Sequence, residues 1–149
     1  EDAVTAAWRF DIPLLARRLV EVVDWVGRTP TLRDLEVGCF GASTGAAAAL
    51  IAAAERPGQV KAVVSRGGRP DLAGPALPRV QAPTLLLVGG HDPTVVRLNQ
   101  DATARMRAPT ELVVVPGATH LFEEPGTLEA VAQAAAAFFD RHLRQAAPG

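Results

Sequence analysis

Apolar positions recur at two different periods along this chain, and the alternation between them outlines a fold. Ile12, Leu15, Leu19, Val22, Val23 and Val26 return at helical spacing, opposite Arg17, Arg18, Glu21 and Asp24. Asp11 caps this predicted helix, Pro13 sits in its first turn and Gly27 ends it. A short apolar run over residues 35–40 predicts a buried strand that breaks at Gly41. A helix of small residues follows over 44–56, stopped by Pro57-Gly58. Residues 60–65 predict a second strand, and a glycine- and proline-rich connection runs on through Pro83. Residues 84–89, "TLLLVG", predict a third strand, 94–107 a helix and 111–115 a fourth strand. The last predicted helix starts after Thr127, with Leu128, Val131, Ala135, Phe138, Phe139 and Leu143 on one face.

Strands that alternate with helices, each strand apolar on both faces, imply an α/β fold. About four parallel strands are covered by helices on both sides. No internal repeat or low-complexity linker divides the chain, so residues 1–149 are expected to form a single domain.

Composition narrows the function classes. The chain has 149 residues, 48% of them hydrophobic and 21% charged, which suits an ordinary globular domain. A net charge of -1 provides neither the basic footprint of a nucleic-acid binder nor a polybasic membrane patch. The longest apolar run, residues 46–54, is too short to span a bilayer. Cys39 stands alone, so no internal disulfide can form, and a cytoplasmic location is expected. No signal-peptide pattern opens the chain, and neither does a methionine, so further sequence is expected upstream.

In a parallel α/β sheet, reactive groups gather at the carboxyl ends of the strands. Ser43, Asp92 and His120 follow the first, third and fourth predicted strands. "GASTG", residues 41–45, fits a nucleophile elbow, a sharp strand-to-helix turn that pushes a serine hydroxyl out of the sheet. Such a turn is expected to crowd the positions two before and two after the serine, where Gly41 and Gly45 stand. A serine needs a base to take its proton, and the base needs an acid to orient it. The helix beginning at Thr44 aims its amino-terminal amides at Ser43, and the Thr44 amide is the expected oxyanion donor.

Plainer roles compete for each residue. Ser43 can simply cap the alanine-rich helix, Asp92 can cap the helix after Pro93, and His120 can be a loop histidine without duty. His91 adjoins the candidate acid and so points elsewhere, and His142 lies on the terminal helix. Cys39, in mid-strand, reads as core, and Glu123 and Glu124 as solvated loop charges. "SRGGRPD", residues 65–71, also ends a strand. Arg66 or Arg69 is thus a candidate for binding an acidic substrate group, against the alternative of an Arg69–Asp71 surface pair.

The segments "FGASTGAAAAL", "SRGGRPDLAG", "APTLLLVGGHDPTV" and "VVVPGATHLFEEPG" together resemble the dienelactone-hydrolase-like branch of the α/β-hydrolases. The resemblance covers nearly the whole chain and includes all three candidate residues in the order Ser43, Asp92, His120. It implies hydrolysis of a small-molecule carboxylic ester, lactone or thioester through an acyl-enzyme, with no cofactor and no metal. Dienelactone hydrolase proper uses a cysteine nucleophile, where this chain has Ser43. Some relatives are joined to a phosphoribosyltransferase domain, but no phosphate-binding signature of that kind stands in this sequence.

Members of the superfamily usually have eight strands, so this chain resembles the carboxyl-terminal half of the fold. The strand before Ser43 is then expected to be an exposed edge, prone to self-association. The loop giving a second oxyanion amide is expected in the absent half, which makes the isolated chain a poor esterase. A hydrolase-like module without catalysis, kept for packing or partner binding, is the rival expectation.

Overall fold

The computed structural model describes residues 11–143. Helix α1, Ile12–Arg28, begins where the Asp11 carboxylate accepts the amide of Leu14. It buries Ile12, Ala16, Val20 and Val23, while Leu15 and Val22 stay exposed. The apolar stripe is therefore rotated from the one expected. Helix α1 packs on α2, Thr44–Glu55. Because α2 presents mainly alanine, the small side chain of Ala16 lies inward and allows close approach.

Strand β1 spans Val37–Ala42, two residues later than the expected 35–40. Its start is set by a turn in which the Leu35 amide donates to the Leu32 carbonyl. At its other end Gly41 continues the strand, because this glycine is needed for close backbone approach, not for a break. Strands β2 (Val60–Arg66), β3 (Thr84–Gly89) and β4 (Thr110–Val115) complete one sheet in the order β1-β2-β3-β4. All three pairings are parallel. The long connection contains a 3-10 segment, Pro70–Arg79, kinked at Gly74. Helix α3 is Pro93–Arg105 and helix α4 is Thr127–His142.

The sheet separates two cores. One joins α1, α2 and the 3-10 segment around Leu50, Val63 and Leu77; the other joins α4 to the opposite face around Val64, Leu87 and Phe138. Cys39 is buried in the first core, and burial pushes its thiol up to about 11. Leu128, expected on the buried face of α4, is instead exposed. Beside it lies Phe40 of β1, also half exposed, and the two line a small apolar cavity with Val131, Ala132 and Arg66. The outer edge of β1 has no partner strand among the described residues. Nor is any described helix long and apolar enough to cross a membrane.

Parallel register determines where chemistry can collect. Ala42 pairs with Arg66, Arg66 with Leu87 and Leu87 with Val113, so the carboxyl ends of the strands lie side by side. The segments carrying Ser43, Gly67, Asp92 and His120 all emerge at that end.

Candidate active site

Ser43 occupies the single residue between β1 and α2, with φ 51° and ψ -124°. This positive φ is costly for a side chain and typical of a functional turn. It is reached because a Cβ on Gly41 would lie 2.5 Å from the carbonyl oxygen of Gly45 and 2.7 Å from the amide of Ala46. Only glycine at 41 lets the strand pass that close to the helix it feeds. Gly45 is different: a Cβ there would meet nothing within 4 Å. The expectation that both glycines are forced by crowding is corrected to one, because Gly45 contributes its backbone, not its missing side chain.

The elbow turns the hydroxyl toward the loop that follows β4. Ser43 Oγ lies 3.0 Å from His120 Nε2. The plain capping role is not adopted, since the Ser43 side chain makes no cap hydrogen bond to α2. Thr44 N is the first amide of α2, among those that a helix leaves without internal partners.

His120 is carried by a braced loop. The Glu124 carboxylate accepts both the Thr119 amide, at 2.9 Å, and the Thr119 hydroxyl, at 2.8 Å. These bonds hold the Glu124 carboxyl below the usual carboxylate range. Glu124 is thus a clamp beside His120, not a free loop charge; a threonine five residues before a glutamate was too weak a signal to reveal it. Phe122, at φ 56°, is buried beneath the loop, and the Arg66 guanidinium stacks 5.7 Å from its ring centre. The loop also meets the end of β3, where the His91 amide donates to the Ala118 carbonyl.

Asp92 shares a cavity of about 390 Å³ with Ser43 and His120; Thr44, Arg69, Leu72 and Val95 also line it. It is the cap of α3, with Oδ1 accepting the Val95 amide at 3.3 Å. No hydrogen bond joins Asp92 to His120; the orienting contact that the Ser43, Asp92, His120 order implies is not made here. The one hydrogen-bonded oxygen of Asp92 faces its own helix. His91 and His142 do not line this cavity.

The two candidate arginines part company. Arg69 lines the Ser43 cavity, but Nε and Nη2 each lie 3.0 Å from a carboxylate oxygen of Asp71. The Arg69–Asp71 pair, the plainer alternative, is the arrangement found, and the partner carboxylate raises the pKa of the guanidinium. Arg66 lies on the α4 side, over Phe122 and in the cavity of Phe40 and Leu128.

The model of the dienelactone hydrolase family matches residues 6–145. The crystal structure of dienelactone hydrolase from Anabaena variabilis is 58% identical, with a TM-score of 0.91 over 96% of this chain and 66% of that one. A dienelactone-hydrolase-like promiscuous phosphotriesterase, P91, from metagenomic libraries shares the fold at 19% identity and a TM-score of 0.72. It is matched over 96% of this chain and 67% of its own. Proteins from two strains of Mycobacterium tuberculosis, each bearing the name "Putative phosphoribosyl transferase", are 60% identical over 134 residues. That match spans 90% of this chain and 30% of theirs. The four parallel strands, the serine elbow and the family match together establish that this chain belongs to the dienelactone hydrolase family, with the α/β-hydrolase fold.

Proposed function

We propose that this segment carries the chemistry of a serine hydrolase that cleaves a small carboxylic ester, lactone or thioester through an acyl-enzyme. The observation that carries the reading is the 3.0 Å approach of Ser43 Oγ to His120 Nε2 on a positive-φ elbow. Ser43 Oγ attacks the carbonyl carbon as its proton passes to His120 Nε2. The Thr44 amide donates to the developing oxyanion. Collapse of the tetrahedral intermediate breaks the bond to the leaving oxygen or sulfur, which takes the proton back from His120. Water, activated by the same imidazole, then releases the acid and restores Ser43. Asp92 is assigned the orienting carboxylate on chain order and shared cavity, and serves when an oxygen is brought to His120 Nδ1.

Leu72 and Val95 give the cavity apolar walls that suit an uncharged acyl group. Of the two arginines, Arg69 is the one beside Ser43 that can meet an acidic substituent, at the expense of its bond to Asp71. Self-association through the edge of β1, which no described strand covers, is part of the same proposal. A hydrolase-like module without catalysis is the second reading, favoured by the engagement of Asp92 as a cap. Covalent labelling of Ser43 by a fluorophosphonate separates the two readings: catalysis requires it, and the module does not.

A further inference from the structure

The residue pair Gly67-Gly68 and the side chain of Asn99 lie outside the chemistry assigned above, yet they touch every element that carries it. Gly67, at φ +53°, donates its amide to Leu87 O at 2.7 Å. A Cβ on Gly67 would fall 3.0 Å from His120 O and 3.4 Å from His120 Nδ1, so this turn forms the floor beneath the imidazole. A Cβ on Gly68 would collide with Ser65 Oγ and with Ala46 of the first turn of α2. The next amide, that of Arg69, donates to Ser43 O at 3.1 Å and so holds the strained elbow from behind. Three consecutive residues thus contact the base, the nucleophile's helix and the nucleophile itself.

Asn99 ties this turn to the remaining element. Its side chain is fully buried on α3, and Nδ2 donates to Gly68 O at 3.2 Å and to Val95 O at 2.8 Å. Val95 in turn gives its amide to Asp92 Oδ1. One buried amide therefore joins the turn under Ser43 and His120 to the first turn of α3, where Asp92 stands. Asn99 Oδ1 has no partner, and neither does the buried hydroxyl of Ser65. A buried amide with an orphaned carbonyl is a poor stabiliser compared with an apolar side chain of the same size. Its presence is better explained by what Nδ2 holds in place.

Resting on the proposed hydrolase function, we infer that Asn99 is a positioning residue. Through Gly68 it sets the spacing of the elements that bear Ser43, His120 and Asp92. A displacement of about 1 Å among reacting groups can cost on the order of 10²-fold in rate. The test uses Asn99→Leu, which keeps the size and removes the donor, and Asn99→Ser, made in the intact polypeptide. The serine hydroxyl can still bond Val95 O, four residues back, but cannot span to Gly68. With p-nitrophenyl acetate, both variants are expected to lose roughly 10- to 100-fold in kcat with KM changed less than about twofold. The rate of inactivation by a fluorophosphonate is expected to fall in parallel while circular dichroism shows folded protein. Retention of wild-type kcat by folded Asn99→Ser, with its labelling rate unchanged, would overturn the inference even if Asn99→Leu fails to fold. A wild-type protein that takes no label would overturn the hydrolase reading instead, and this inference with it.

Discussion

The backbone of Gly45 occupies the space that a side chain on Gly41 would need, while the space beside Gly45 itself is open. The two glycines that flank Ser43 are thus unequal, although they look equivalent in the sequence. Gly41→Ala should force the elbow apart, lowering stability by about 1–3 kcal/mol and ester turnover with it. Gly45→Ala, inside α2 at an ordinary helical φ, should leave stability unchanged or raise it by about 0.5–1 kcal/mol. Thermal unfolding of the two variants checks this. Equal losses in both would show that the crowding is mutual.

Asp92 has a measurable duty as a cap and a proposed one as an acid, and two substitutions separate them. Asp92→Asn retains a capping oxygen and should unfold within about 0.5 kcal/mol of wild type, whereas Asp92→Ala should lose about 1 kcal/mol. Ester turnover should fall by a similar factor in both, and by less than in Ser43→Ala. Full turnover in Asp92→Asn would leave Asp92 a cap and nothing more.

Cys39 makes stability depend on alkaline pH. Burial pushes its thiol up to about 11, while an unfolded thiol ionises about two units lower. Deprotonation therefore favours the unfolded chain, so stability is fully present below pH ~9 and is lost as pH rises toward 11. Measured against Cys39→Ala by urea unfolding, the wild type should lose about 1 kcal/mol between pH 8 and 10. A difference that stays constant over this range would mean that the thiol titrates as if exposed.

The outer side of β1 should make the isolated 149 residues associate. Phe40 is 50% exposed on a strand with no outer neighbour among the described residues, and exposed Leu128 lies beside it. Sedimentation velocity should show a coefficient that rises with protein concentration, and Phe40→Lys should reduce the rise by charging the edge. A monomer at all concentrations would remove self-association from the account.

Much of this arrangement was legible in the sequence, for reasons that differ by element. The third strand has the bounds its sequence predicts, because residues 84–89 are apolar on both faces and end at a glycine. The first strand lies two residues later than periodicity predicts, because Gly41 continues it and a close approach between backbones leaves no trace in periodicity. The stripe on α1 was rotated because its position depends on the alanine surface of α2, a property of the partner helix. Ser43 and His120 are candidates on a turn motif and strand order, which are local signals; their 3.0 Å approach is a contact that the fold supplies. The Glu124 clamp and the Asn99 bridge join residues by side-chain bonds that no short motif encodes. Asp92 follows the third strand, and its carboxylate accepts the Val95 amide, a direction of the side chain that strand order does not encode.

The proposed chemistry requires Ser43 to be a nucleophile activated by His120. Fluorophosphonate treatment of the intact polypeptide, followed by digestion and mass mapping, tests it most directly. The account predicts one adduct, on Ser43 and not on buried Ser65, absent from Ser43→Ala and formed roughly 10²-fold or more slowly in His120→Ala. No adduct on the wild type, or labelling at an undiminished rate in His120→Ala, would contradict it.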